Sequence, residues 1–109
     1  MSKTLYGTTT ITLDGEDYQM VPTLAAVRSI EAHFGGLRGA AQAINALSVD
    51  GCAAIVAAGA GLTGKEAEAL PQKVWEAGVL EVSITLNTYL VALYKPRGSK
   101  SGKLQGTKE

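Results

Sequence analysis

TTTITLDGEDYQMVPTLAAVRSIEAHFGGL, residues 8–37, carries two hydrophobic periods in succession. Leu5, Thr9, Ile11 and Leu13 alternate with Thr8, Thr10 and Thr12, the period of two expected of a half-buried strand. Asp14-Gly15 follows and then Glu16, Asp17, Tyr18, Gln19, Met20 and Val21. An Asp-Gly pair between alternating runs marks a type I′ hairpin, whose two central residues both need positive φ. The sequence thus predicts strands near 5–13 and 16–21. Pro22 ends the second strand and Thr23 is placed to cap a helix, after which Leu24, Val27, Ile30 and Phe34 recur at helical spacing. Gly35-Gly36 supplies its C-terminal stop. A lone hairpin is marginal in water, so its apolar face must rest on helices.

Beyond residue 37 the pattern stays helical. An Ala-rich helix is predicted over 37–47 and another over 50–58, and Thr63 with Glu66 reads as a capping box for a short helix ending at Leu70. Pro71 suits the first turn of the next helix, which the periodicity carries unbroken over 71–94. Trp75, Gly78, Val79, Val82, Leu86, Tyr89, Leu90 and Leu93 form its expected core face, with Gly78 read as a point of close helix packing. Leu80, Ile84 and Val91 lie opposite, among Lys73, Glu76, Glu81, Asn87 and Thr88. Either the helix is buried on both sides or this second stripe is an exposed strip for a partner or a second copy.

These elements predict a mainly helical α+β fold: an N-terminal hairpin on a bundle of four to five helices with a long C-terminal helix. A chain of 109 residues suits one core, placed in residues 1–94. Residues 95–109 form a separate basic tail, read as disordered, with an electrostatic arm for an acidic protein or nucleic acid as the alternative. Formal charge is zero, but residues 1–94 hold five basic against nine acidic residues, whereas 95–109 hold five basic and Glu109. An acidic body and a tail without aromatic residues argue against nucleic acid. The single cysteine, Cys52, excludes an internal disulfide and fits a reducing cytoplasm. The N-terminal residues lack the apolar core of a signal peptide, and no apolar run approaches the ~20 residues of a membrane span.

Candidate chemistry is sparse. Residues 59–66, GAGLTGKE, match both a phosphate-binding loop and a dinucleotide fingerprint formally. Glu66, however, stands where a magnesium-binding Ser or Thr is required, and residues 52–58 read as helix where a buried strand is needed. His33, the only histidine, falls near the end of the first helix, and Cys52 between Gly51 and Ala53 reads as a small packed residue. Asp14, Glu16 and Asp17 cluster at the hairpin turn as solvated carboxylates. No catalytic, cofactor or metal residues are assigned, and no enzyme is expected.

The order of segments resembles the gene-transfer-agent-type tail proteins of long-tailed phages. The resemblance covers residues 8–94: the hairpin on LDG, the Thr-Leu helix start, the Ile-Glu-Ala-x-Phe-Gly ending at 30–35, the Ala-rich helix, LTGKEAEAL at 62–70 and the closing helix. Members are labelled tail tube protein or tail assembly chaperone, and an Ala-rich body with one hairpin looks more like the chaperone. The resemblance implies a non-enzymatic factor in the host bacterial cytoplasm, absent from the mature virion. Its partners would be the tape measure protein, a long helical chain with apolar stripes, and the tail tube protein. It assigns Leu80, Ile84 and Val91 to partner binding. The alternative is a structural tail or head–tail component retained in the particle. The tail after Tyr94 lies outside the shared pattern.

Overall fold

In a computed structural model, which describes residues 7–95, β1 (Thr9–Leu13) and β2 (Glu16–Met20) form an antiparallel hairpin. Six helices follow: α1 (Leu24–Phe34), α2 (Leu37–Asn45), α3 (Val49–Ala60), α4 (Gly64–Glu68), α5 (Leu70–Ala77) and α6 (Val79–Tyr94). The mainly helical α+β class is as the sequence predicts. The strands are shorter than predicted at their outer ends. Residues 5 and 6 of the first predicted strand, and the basic tail from residue 96, lie outside the described residues.

The hairpin turn follows from its two central residues. Asp14 (φ 53°) and Gly15 (φ 78°) are both left-handed, as the Asp-Gly pair requires. The register sets Thr9 opposite Met20 and Ile11 opposite Tyr18, so Ile11, Leu13 and Met20 all enter the core. On the outer face the Thr12 hydroxyl donates to Asp17 Oδ1 at 2.6 Å. Thr23 caps α1 by accepting from the Ala26 amide at 3.1 Å, and Gly35 (φ 82°) closes it. Leu24, counted in the apolar face by spacing, is exposed. It stands at the first position of the helix, where Ala26 and Ile30 supply the buried contacts instead.

Helix α3 is the centre of the molecule. It touches β2, α1, α2, α5 and α6, and Cys52, Ala53, Ile55, Val56 and Gly59 are all buried along it. That explains its composition, because a helix surrounded on most sides is apolar around most of its circumference. Ser48 caps it by accepting from the Gly51 amide at 2.9 Å, and Gly61 (φ 70°) ends it. Residues 52–58 are therefore helical, and the glycines of 59–66 terminate one helix and begin the next.

Two expectations fail after that point. The helix predicted over 71–94 is broken at Gly78 (φ 100°, ψ 107°), and the segments on either side of it are bent by 117°. A Cβ on Gly78 would meet nothing nearer than Glu81 Cγ at 3.9 Å. Gly78 therefore serves a positive φ that only glycine adopts without strain, and not close packing. The break also rotates α5 out of phase. Leu70 and Val74 take its buried face, while Trp75, expected in the core, is 65% exposed. Val82, Leu86, Tyr89, Leu90 and Leu93 are buried as expected, and Val79 partly so.

The second failure is the capping box. Thr63 has extended dihedrals at the N-terminus of α4, but its side chain makes no capping hydrogen bond. Gly64 at φ 60° opens this single turn in a left-handed conformation, so the turn does not begin with the helical dihedrals on which a capping box is built. Thr63→Ala should therefore change stability by less than about 0.5 kcal/mol, against the ~1 kcal/mol of a lost cap. Urea unfolding of the two proteins measures the difference.

Candidate partner-binding face

Helix α6 presents two faces of opposite character. Val82, Leu86, Tyr89, Leu90 and Leu93 point into the core. Ser83 is buried with them, its hydroxyl satisfied by donation to the Leu80 carbonyl at 2.6 Å. Tyr89, wholly buried, donates its hydroxyl to the Val21 carbonyl at 2.7 Å, which fixes the end of β2 to α6. Burial pushes that phenol up to about 12.

The opposite face is where the sequence places the partner-binding stripe. Leu80, Ile84 and Val91 are 61%, 60% and 60% exposed. Of the two arrangements open at the sequence level, burial on both sides is the one the fold does not adopt. Tyr94 is exposed on the same face, and so is Asn87. Positions 80, 84, 87, 91 and 94 are spaced 4-3-4-3, the seam spacing of a coiled coil, with one amide at the middle of four apolar residues. Glu81 and Lys95, both exposed, stand beside the two ends of this seam. Asn87 and Tyr94 join the stripe that the apolar spacing of Leu80, Ile84 and Val91 marks in the sequence, one through its amide and the other at the helix end.

The remaining candidates do not assemble into chemistry. Cys52 is fully buried in α3, and burial pushes its thiol up, which keeps it protonated and away from solvent. His33 is exposed in the last turn of α1, its ring edge-on to Phe34 at 4.5 Å between centroids. Two of the three hairpin carboxylates are engaged, Asp17 by the Thr12 hydroxyl and Glu16 by Lys73 and Tyr18. Glu16 Oε1 accepts from Lys73 Nζ at 2.7 Å and from the Tyr18 hydroxyl at 2.8 Å. Lys73 also donates to the Tyr18 oxygen at 2.9 Å. These bonds hold the Glu16 carboxyl below its ordinary range and the Lys73 ammonium above its own. The cluster fastens the hairpin to α5. Among the described residues no three His, Cys, Asp or Glu side chains gather to hold a metal ion.

An open groove of about 490 Å³ lies between β2, α1 and α3, lined by Ala26, Ala54, Ala58, Gly59, Gly61 and Thr63 among others. Among the described residues no lysine or arginine lines it, and Lys65 of the glycine loop lies instead by a separate depression with Glu16, Tyr18 and Lys73. Among the described residues no single helix is long and apolar enough to cross a membrane. Comparison with protein-family models, curated proteins and solved structures gives no match to the chain.

Proposed function

We propose that this chain is a tail assembly chaperone of a long-tailed phage. It would be a non-enzymatic factor that acts in the host cytoplasm and covers apolar surface of the tape measure protein until tail tube subunits polymerise around it. The observation that carries the reading is the exposed seam of α6, formed by Leu80, Ile84, Val91 and Tyr94 on the side of the helix away from the core. A soluble domain gains nothing from four solvated apolar side chains in register on one helix, whereas a helical client with its own apolar stripe buries them. Residues 8–94 resemble tail proteins of this kind, which names the client. Many copies along one long client multiply a weak contact into firm retention.

The test is Leu80→Ser with Ile84→Ser, co-expressed with the tape measure protein of the same phage. Because both side chains are already solvated, the variant should melt within about two degrees of the native chain. It should also fail to co-purify with the tape measure protein. Undiminished co-purification of a folded variant overturns the assignment of this face. The native chain in stoichiometric amount in purified particles overturns the chaperone role in favour of a retained tail component.

A further inference from the structure

We infer that, before it meets a client, the α6 face pairs with a second copy of this chain, the two helices running antiparallel about a two-fold axis at Asn87. The seam is nearly symmetric about Asn87, with its members at −7, −3, +4 and +7 residues from it. Turned about Asn87, Leu80 comes opposite Tyr94 of the second copy and Ile84 within one residue, about 1.5 Å along the axis, of its Val91, so apolar side chains meet apolar side chains. Asn87 then meets itself. Its carboxamide carries both donor and acceptor and makes no side-chain hydrogen bond among the described residues, so two copies satisfy one another across the axis. A single amide in an apolar seam fixes register at some cost in affinity.

Charge selects the direction. Glu81 and Lys95 flank the same edge of the seam, one near each end, and Glu81 is not engaged by the one salt bridge of the described residues, which joins Lys73 to Glu16. Antiparallel pairing sets Glu81 of each copy beside Lys95 of the other, at both ends. Parallel pairing would carry Glu81 and Lys95 of the second copy to the opposite edge of the seam, where neither meets an opposite charge. The contact is isologous and therefore closes as a dimer. The seam spans only about 21 Å of helix, far less than a standard protein–protein interface provides, so the pairing is weak and a client with a longer stripe displaces the second copy. The pairing rests on the face alone and stands or falls independently of what the client is.

The experiment is sedimentation equilibrium of the purified full chain, without any client, from about 10 to 500 µM, a range suited to a micromolar-to-millimolar dissociation constant. The weight-average mass should rise from one chain towards two. Glu81→Lys, which sets Lys against Lys95 at both ends, should weaken the dimer roughly fivefold. Glu81→Lys with Lys95→Glu should restore it, and Ile84→Glu should abolish it. Monomer at every concentration overturns the inference. So does a dimer that ignores Ile84→Glu, or one in which the charge swap fails to rescue Glu81→Lys. None of these outcomes bears on client binding, which the co-purification assay reads separately.

Discussion

Leu86→Ala is expected to destabilise the chain by about 2–5 kcal/mol, whereas Leu80→Ala on the same helix is expected to cost less than about 0.5 kcal/mol. Leu86 is fully buried and belongs to the cluster of Ile11, Leu13, Val56 and Tyr89 that joins hairpin, α3 and α6. Removing its branched end deletes transfer free energy and leaves a cavity that a helix pinned on both flanks cannot collapse. A domain of this size has a total stability of roughly 5–15 kcal/mol, so the loss is a large share of it. Leu80 is 61% exposed and leaves no void. The contrast, measured by urea unfolding of both variants, tests the assignment of inside and outside on α6 directly. Equal costs would mean that the exposed seam is covered in the isolated chain.

What the sequence makes legible here is whatever depends on local chemistry. Asp14-Gly15, Thr23 and Gly35 each act through bonds or dihedrals within four residues of themselves, and patterns of that range are written in the chain. The core face of α6 is legible for a related reason, since Val82, Leu86, Tyr89 and Leu93 keep phase along one uninterrupted helix. The break at Gly78 is of another kind. Periodicity on either side fits both a continuous helix and two helices, and a backbone turn at φ 100° changes no side chain that the pattern can register. Carried back across Gly78 as if the helix were unbroken, the spacing of the α6 core face assigns Trp75 inward, although α5 turns it to solvent. The pair Thr63 and Glu66 has the right spacing for mutual capping, but the bond also needs Gly64 in a helical conformation, and Gly64 is left-handed.

The candidate face divides along the same line. Leu80, Ile84 and Val91 stand out because three apolar residues sit among Glu81, Asn87 and Thr88 on a surface otherwise polar. Whether another element covers them is decided by tertiary packing, which residue spacing along α6 does not encode. The structure leaves that side of α6 open because the hairpin, α2, α3 and α5 all contact the helix from its other side. Asn87 and Tyr94 become members only when the register 80, 84, 87, 91, 94 is counted from the exposed side.

Gly59→Ala should cost about 1–3 kcal/mol, although alanine has the higher helix propensity by about 1 kcal/mol at an exposed site. Gly59 lies inside α3 and is buried. A Cβ there would stand 2.8 Å from Met20 Cβ, 2.9 Å from Tyr89 Cζ and 3.0 Å from Tyr89 Cε2. None of these can withdraw cheaply. The Tyr89 ring is held by its hydroxyl on the Val21 carbonyl, and the Val21 amide donates to the Gly59 carbonyl at 3.0 Å. One methyl group therefore pushes against β2 and α6 together at the point where both are tied to α3. Relief would require α3 to move off the hairpin, with loss of the Val21–Gly59 bond. A second variant, Gly61→Ala, separates this from a generic loss of glycine. Gly61 has open space around it and a left-handed φ of 70°, so its cost is backbone strain of about 1 kcal/mol, without displacement of Tyr89. Urea unfolding should rank the two, and the near-ultraviolet circular dichroism of Tyr89 should change in Gly59→Ala alone. If Gly59→Ala were as stable as the native chain, α3 and α6 could not approach as closely as they do, and the small residue at position 59 would be there for another reason.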